Sequence, residues 1–306
     1  MGAFIIKRLY YGLYVVLGVT IVVFLVTRVV GDPVSAMLPI EASAEQRAAF
    51  AQQLGLDRPI YVQFLEFLGS VAHFDLGQSV WQHRPVTEIV FEKLPMTIYL
   101  VGAGMTLAIA LAIPLGILAA LKPGGIADRV TVVLSLIGLS IPQFWLGLLL
   151  IIVFAVDLRW LPTSGSGSLS HMVLPTITLA VPALTRMVMV VRTSMMDELN
   201  AQYIKVATAK GMPFRRVVGV HALRNVTVPI MTLAGWEVIR ALAGYSVVVE
   251  TVFAWPGLGL AAIQAIERQD LILLQGIVFY VAVMVVIINI GLDVAQKFVD
   301  PRVKFS

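Results

Sequence analysis

No cysteine occurs among the 306 residues, which excludes disulfides, thiolate-held metals and a thiol nucleophile. Charge is scarce too. Asp, Glu, Lys and Arg make up 13% of the chain, where a soluble domain carries about 25%. The four histidines, His73, His83, His171 and His221, are scattered without the spacing a metal site needs. None of the seven lysines follows a glycine, so there is no Gly-Lys-Ser/Thr phosphate loop and no nucleotide site within the chain. Internal repeats, low-complexity tracts and a linker that would separate two domains are also missing.

What the chain has instead is apolar length. It is 59% hydrophobic with a mean hydropathy of +0.91, the composition of an integral membrane protein. About 20 residues cross the hydrocarbon core. Four uncharged runs approach or exceed that: 9–27 (19 residues), 94–121 (28), 130–156 (27) and 271–292 (22). Two weaker runs complete the set. Residues 172–185 extend through Arg186 toward Val191. Residues 226–249 cross despite Glu237 and Arg240, which lie one helical turn apart and can neutralise each other or face a polar interior. The expectation is an all-α membrane protein with six transmembrane helices. The first run follows Lys7 and Arg8 but is longer than a 7–15-residue signal core and precedes no small-x-small cleavage site, so it reads as a retained helix.

Six spans put both termini on one side. With the termini inside, the inner segments 1–8, 122–129, 186–225 and 293–306 hold fourteen Lys and Arg against five acids. The outer segments 31–93, 157–171 and 250–270 hold six against twelve. The Lys/Arg bias therefore predicts cytoplasmic termini. It also explains the pI near 9.4 without nucleic acid.

The outer segment 31–93 is large enough for structure of its own. Residues 42–54 read as a helix, with Ser43 as N-cap and Gln46 completing a capping box. Residues 59–74 read as a second, aromatic-rich helix. Ser164-Gly-Ser-Gly-Ser168 reads as a flexible loop, and Pro256-Gly257-Leu258-Gly259 as a turn.

Three places are candidates for function. The segment 203–229, YIKVATAKGMPFRRVVGVHALRNVTVP, holds Lys205, Lys210, Arg215, Arg216 and Arg224 and no acid. It cannot span a bilayer, so it lies on a membrane surface or against a soluble partner. Gly211 lets two helices meet at a tight angle, and Pro213 can begin the second at its first turn. Such a segment serves as a docking helix for another protein or as a surface helix held by anionic lipid. Glu237 and Arg240 each cost roughly 2.5–3.5 kcal/mol at mid-bilayer. They line a path for a charged or zwitterionic solute, or they form a structural ion pair within the bundle or with a partner subunit. Trp255, Pro256 and Gly257 lie in an apolar outer loop that either meets a docked protein near a pore mouth or packs on helix ends and the bilayer interface.

The same residues carry a resemblance. The basic segment is similar to the cytoplasmic coupling loop of bacterial ABC importer permeases, Glu-Ala-Ala, three residues, Gly, nine residues, Ile-x-Leu-Pro. Ala207 and Gly211 keep its spacing, and His221-Ala222-Leu223-Arg224 occupies the distal block. Lys205 stands where the acid would be and Arg224 where the proline would be, with Pro229 five residues on. The whole chain resembles the membrane subunits of dipeptide, oligopeptide and nickel ABC importers. FIIKRLYYGLYVVLGVTIVVFLVTRVVGDP opens it, ending in Gly31-Asp32-Pro33. LGLDRPIYVQF (54–64), FDLGQSV (74–80), FWLGLLL (144–150), WLPTSG (160–165), VVVETVFAWPGLG (247–259), QGIV (275–278) and DPR (300–302) follow in order.

The resemblance implies a type I ABC importer permease fold in the bacterial inner membrane, and no covalent chemistry. It divides the chain into a first helix with its periplasmic segment (1–93), a transmembrane core (94–296) with the coupling loop at 197–229, and a cytoplasmic tail (297–306). Its implied partners are a second homologous permease, two ATPase subunits that bind ATP and Mg, and a periplasmic or lipid-anchored solute-binding protein. This subunit carries no cofactor of its own. Ala207, Ala209, Lys210, Gly211, Met212, Pro213, Arg215 and Arg216 are then the ATPase contact. Glu237 and Arg240 are candidates for the solute path, and Trp255, Pro256 and Gly257 for contact with the binding protein. Two other classes remain open on the residues alone: a self-sufficient secondary transporter or channel, and a membrane hydrolase built on Ser164, Ser166 and His171.

Overall fold

The computed structural model describes residues 2–27, 34, 38, 42–53, 55, 57–73 and 75–299. Among them there is no β-strand. The helices are α1 (Gly2–Leu25), α2 (Ala44–Gln53), α3 (Ile60–Ala72), α4 (Val86–Leu121), α5 (Ile126–Ser140), α6 (Gln143–Asp157), α7 (Leu169–Leu199), α8 (Gln202–Ala209), α9 (Phe214–Val252), α10 (Leu258–Glu267) and α11 (Leu271–Val299). The end of α6, Ile151–Asp157, and two stretches of α9, Val217–Ala222 and Ala241–Tyr245, are wound as wider π-helical turns. Arg28, Gly31-Asp32-Pro33, Leu54, Leu56, Phe74 and the 300–302 motif lie outside the described residues.

Among the described residues five helices are long and apolar enough to cross a membrane: Ile6–Leu25 within α1, α4, α7, α9, and Leu271–Lys297 within α11. A sixth exists only if α5 and α6 count as one span, and that pair is bent by 102°. The run 130–156 is therefore not the continuous helix its apolarity predicts. Pro142 is the cause. It has no N–H to continue the ladder. Its ring also drives the preceding residue out of the helical region, and Ile141 is accordingly extended at φ −79° and ψ 122°. The opposite error affects α7 and α9, which outrun their apolar stretches at both ends. Charges end hydrophobic runs, but they do not end helices. No proline interrupts 186–199 or 214–226, so the ladder continues through the charged turns.

The chain forms two compact units, Met1–Thr97 with Pro256–Ile287, and Ile98–Trp255 with Ile288–Ser306. In the first, α2 begins with the expected capping box. The Ser43 N–H donates to Gln46 Oε1 (2.9 Å) and the Gln46 N–H to Ser43 Oγ (3.2 Å). The second expected helix is α3, which packs Phe64 and Phe67 on Phe24 of α1 at ring separations of 5.2 and 5.6 Å. Val86, Ile89 and Val90 of α4, Leu258, Ala261 and Ala265 of α10, and Leu273 and Ile277 of α11 form the buried core of this unit.

A single carboxylate ties that core to the loop before α4. Asp270 is fully buried and stands just before α11. Its Oδ1 accepts the Leu273 N–H (3.0 Å), and its Oδ2 accepts the Ser79 hydroxyl (2.5 Å) and the Trp81 N–H (3.2 Å). Arg268 lies over the Trp81 ring at 5.4 Å. Asp270→Ala strands three donors, each worth about 1–3 kcal/mol when buried without a partner. The melting midpoint of the protein in lipid nanodiscs should drop clearly, and Asp270→Asn should recover part of the loss. An unchanged midpoint in Asp270→Ala would show that the staple contributes nothing.

In the second unit α7 is the organising helix, and α4, α5, α6 and α9 all pack against it. At Gly116 of α4 a Cβ would come within 2.6 Å of Val191 and 3.0 Å of the Val188 carbonyl, so this crossing needs glycine. Pro182 inside α7 leaves the Thr178 carbonyl without its helical donor. Gln143 Nε2, at the first residue of α6, reaches that carbonyl in a long contact of 3.5 Å. The 164–168 loop, expected to be flexible, is held at one point by the Gly165 N–H, which donates to the Phe253 carbonyl at 2.8 Å.

Candidate coupling site and embedded charges

The basic segment folds as α8, a tight turn, and the first turns of α9. The turn is a Schellman motif: the Met212 N–H donates to the Ala207 carbonyl (3.3 Å) and the Gly211 N–H to the Thr208 carbonyl (2.9 Å). This places Gly211 at φ +77°, the left-handed region where a Cβ is penalised, although open space surrounds it. Pro213 sits one residue earlier than expected. It is the N-cap of α9, and its carbonyl accepts the Arg216 and Val217 N–H groups at 2.9 and 3.2 Å.

Ile204, Ala207, Val217, Val218 and Ala222 face inward. The outer face presents Lys205, Ala209, Lys210, Arg215 and Arg216, all exposed, and Met212 is half-buried. Among the cations stand two apolar side chains, Phe214 at 60% and Val206 at 47% exposure. Exposed apolar side chains rimmed by charge are a pattern that interaction surfaces share.

A polar knot fixes this segment to the spans. The Tyr203 hydroxyl donates to Glu198 Oε2 at the end of α7. Asn225 Nδ2 of α9 donates to the Tyr203 hydroxyl (2.9 Å) and to Glu198 Oε2 (3.1 Å). Desolvation, then the bond to the Glu198 carboxylate, pushes the Tyr203 phenol up to about 12, so it stays a donor through the physiological range.

Glu237 is buried in the second unit, and its main partner is not Arg240. Arg186 of α7 grips it with two parallel bonds, Nε to Oε1 and Nη2 to Oε2, both 2.7 Å. Arg240 adds one bond, Nη1 to Oε1, at 3.2 Å. The Glu237 side chain is 0% exposed, Arg186 24% and Arg240 50%. The Tyr245 ring lies 5.7 Å from the Arg186 guanidinium. A second forked pair joins Arg192 of α7 to Asp128 in the first turn of α5, with Nη2 to Oδ2 at 2.9 Å, and Asp128 also accepts the Gly124 N–H at 2.8 Å.

Comparison with known proteins gives this geometry its context. The family described as "Binding-protein-dependent transport system inner membrane component" matches residues 112–305, and the one described as "Binding-prot-dependent transport system membrane comp, N-term" matches 1–101. The chain belongs to this family of transport permeases.

Whole-length relatives agree with that placement. The permease is 36% identical over 317 residues to the oligopeptide transport system permease protein AppB of Bacillus subtilis, covering 100% of both chains. It is 35% identical over 337 residues to the dipeptide transport system permease protein DppB of Escherichia coli K12, covering 99% of both. It is 36% identical over 304 residues to the glutathione transport system permease protein GsiC of Salmonella typhi, again covering 99% of both. In three dimensions it is similar to a chain of the MetNI methionine ABC transporter, with a TM-score of 0.59 at 19% identity, covering 69% of this chain and 96% of that one. The fold is thus that of an ABC transporter permease. The chain is a multi-pass inner-membrane protein, a transport component and not an enzyme.

Two sequence expectations change their meaning in the permease. Trp255 is only 4% exposed and Gly257 is buried, so the Trp255 ring packs within the chain, and of the three outer-loop candidates Pro256 keeps part of its surface. His171 pairs with Ser168 beside it (2.8 Å), a contact at the start of α7, and not with Ser164 or Ser166. Among the described residues no three His, Asp or Glu converge as a metal site would require.

Arg186, Arg192, Asp128 and Glu198 are partners in these contacts that the sequence analysis does not single out. Arg186 had a signal: it interrupts an apolar run, and a charge within a span needs a partner. Arg192, Asp128 and Glu198 gave none, because each sits at the polar end of a helix where a charge needs no explanation.

Proposed function

We propose that this permease forms one half of the translocation pore of an ATP-driven importer for peptides or related small solutes. The other half is a second, homologous permease. Two ATPase subunits carry ATP and Mg on the cytoplasmic side, and a periplasmic or lipid-anchored binding protein delivers the solute. Residues 1–93 supply the first helix and the periplasmic segment, 94–296 the core, and 297–306 a cytoplasmic tail. The excess of Lys and Arg over acids in the segments assigned to the inside supports cytoplasmic termini.

One observation carries the reading. The exposed Phe214 and Val206, ringed by Lys205, Lys210, Arg215 and Arg216, sit on a turn that is continuous with α9 and knotted to α7 through Tyr203, Glu198 and Asn225. Ala209, Lys210, Gly211, Met212, Pro213, Arg215 and Arg216 make the contact with the ATPase, with the inward-facing Ala207 packed behind them. A displacement of the turn is passed into two spans, because the turn is continuous with α9 and is hydrogen-bonded to α7 through the knot. The solute path runs past Glu237 and Arg240. The outer loop meets the binding protein through Pro256, with Trp255 and Gly257 packed behind it.

Relatives named for oligopeptide, dipeptide and glutathione transport support the solute class. Proteoliposomes test the assignment. Peptide uptake should require ATP, the cognate ATPases, the second permease and the binding protein together. Uptake by this chain alone would establish a self-sufficient transporter and end the reading.

A further inference from the structure

The embedded charges are one more than neutrality needs. Arg186 and Glu237 complete each other through two 2.7 Å bonds. A structural pair would stop there. Arg240 brings a second cation to the same carboxylate, making two guanidinium groups to one carboxylate and a net charge of one positive. Among the described residues no other acid forms an ion pair with either arginine. Arg240 uses one of its five donors here, at 3.2 Å, and keeps half of its side-chain surface exposed. The backbone widens immediately after it, over Ala241–Tyr245, the kind of π-helical irregularity that recurs at functional sites. That wide turn brings the Tyr245 ring to the Arg186 guanidinium and leaves Arg240 as the more exposed cation. Beside Gly244 in the same turn there is open space.

We propose that Arg240 binds a carboxylate of the passing solute, with Arg186 and Glu237 as the scaffold that holds it in position. The proposal rests on the solute path set out above and adds the chemical group recognised there. A guanidinium takes a carboxylate through paired hydrogen bonds, and a peptide with a free C-terminus supplies one. Glu237 keeps the site from binding too well. The incoming anion meets a net charge of one and not two, and a transport site must release what it binds. Arg186 takes the two shorter bonds to Glu237, and Arg240 is left with a single longer one. A lipid phosphate offers the same anionic chemistry, and the test separates the two.

The chain has no cysteine, so Arg240→Cys gives this subunit a single thiol. Uptake of dialanine and of dialanine amide by the reconstituted importer defines a preference for the free acid. The binding protein's own preference enters wild type and variant alike and cancels on comparison. Arg240→Gln and Arg240→Cys should lower the acid-over-amide preference by about tenfold, the scale of one lost charge-assisted hydrogen bond. Arg240→Lys should keep most of it. An aminoethyl thiosulfonate, which places an ammonium on the introduced thiol, should restore it, and a sulfonatoethyl reagent should not. If Arg240→Gln does not assemble, the lysine and labelled-cysteine arms carry the test. A thiol that neither reagent labels in the assembled complex lies off any aqueous route, and the path reading falls together with the proposal. A thiol that labels while the preference equals that of wild type leaves the path standing and overturns the proposal. Unchanged preference, with uptake of both compounds following the anionic lipid content of the vesicles, assigns the site to lipid phosphate and overturns it as well.

Discussion

Glu237→Leu should destabilise the permease by about 3–5 kcal/mol, because removing one member of a buried ion pair leaves the other charge without compensation. Here it leaves two. Arg186 loses both of its short bonds and Arg240 its single one. The double variant Arg186→Leu, Glu237→Leu should recover most of the loss, since exchanging a whole buried pair for apolar residues of similar volume is often near neutral. Arg240→Leu should cost under about 1 kcal/mol, as its side chain is half in solvent and its bond is the longer one. Thermal unfolding of the three variants in nanodiscs gives the ranking. Equal midpoints for Glu237→Leu and wild type would mean that water or lipid reaches the site and that the pair is not a buried anchor.

The second large effect belongs to the coupling turn. Gly211→Pro should abolish peptide uptake, with a loss on the order of a hundredfold, while the chain still inserts. Proline fixes φ near −65°, where this turn needs +77°, and it removes the N–H that holds the Thr208 carbonyl. Gly211→Ala offers a graded comparison, because no neighbour obstructs a methyl there and the cost is the left-handed backbone alone, about 1–2 kcal/mol. Reversing Arg215 and Arg216 to Glu leaves the fold intact, as both side chains are exposed. It should weaken the ATPase contact by at least about tenfold through like-for-unlike charge at the interface. Solute-stimulated ATP hydrolysis and uptake are measured together. Wild-type values for both, in both variants, would remove the turn from the coupling mechanism.

How far these sites could be read from the residues depended on the range of the physics involved. The capping box at Ser43 and Gln46 and the turn at Gly211 are local, and local chemistry determines them. The spans were legible as apolar runs, but their ends were not. Hydropathy reports where charge begins, and α7 and α9 continue as helices well past that point. Glu237 was visible as a costly embedded charge. Its partner was assigned to Arg240 because a three-residue spacing can be read along one helix, whereas Arg186 lies 51 residues away on another. The same blindness applied to Trp255. An apolar loop looks available in a sequence, and only packing shows that its ring is covered.

The corner at Pro142 has a consequence for the order in which the protein is made. Residues 130–156 leave the ribosome as one uncharged stretch, and an insertion machinery that weighs hydrophobicity receives it as a single crossing. Both arms of the 102° corner lean on α7: Gly138 against Thr185, Gly147 against Thr178, and Gln143 on the Thr178 carbonyl. Those supports are translated after the corner itself. The proline marks where the stretch will break, and these supports for the bent form come only with the following span. This part of the topology is therefore expected to settle late, by assembly within the bilayer, and not at the moment of entry.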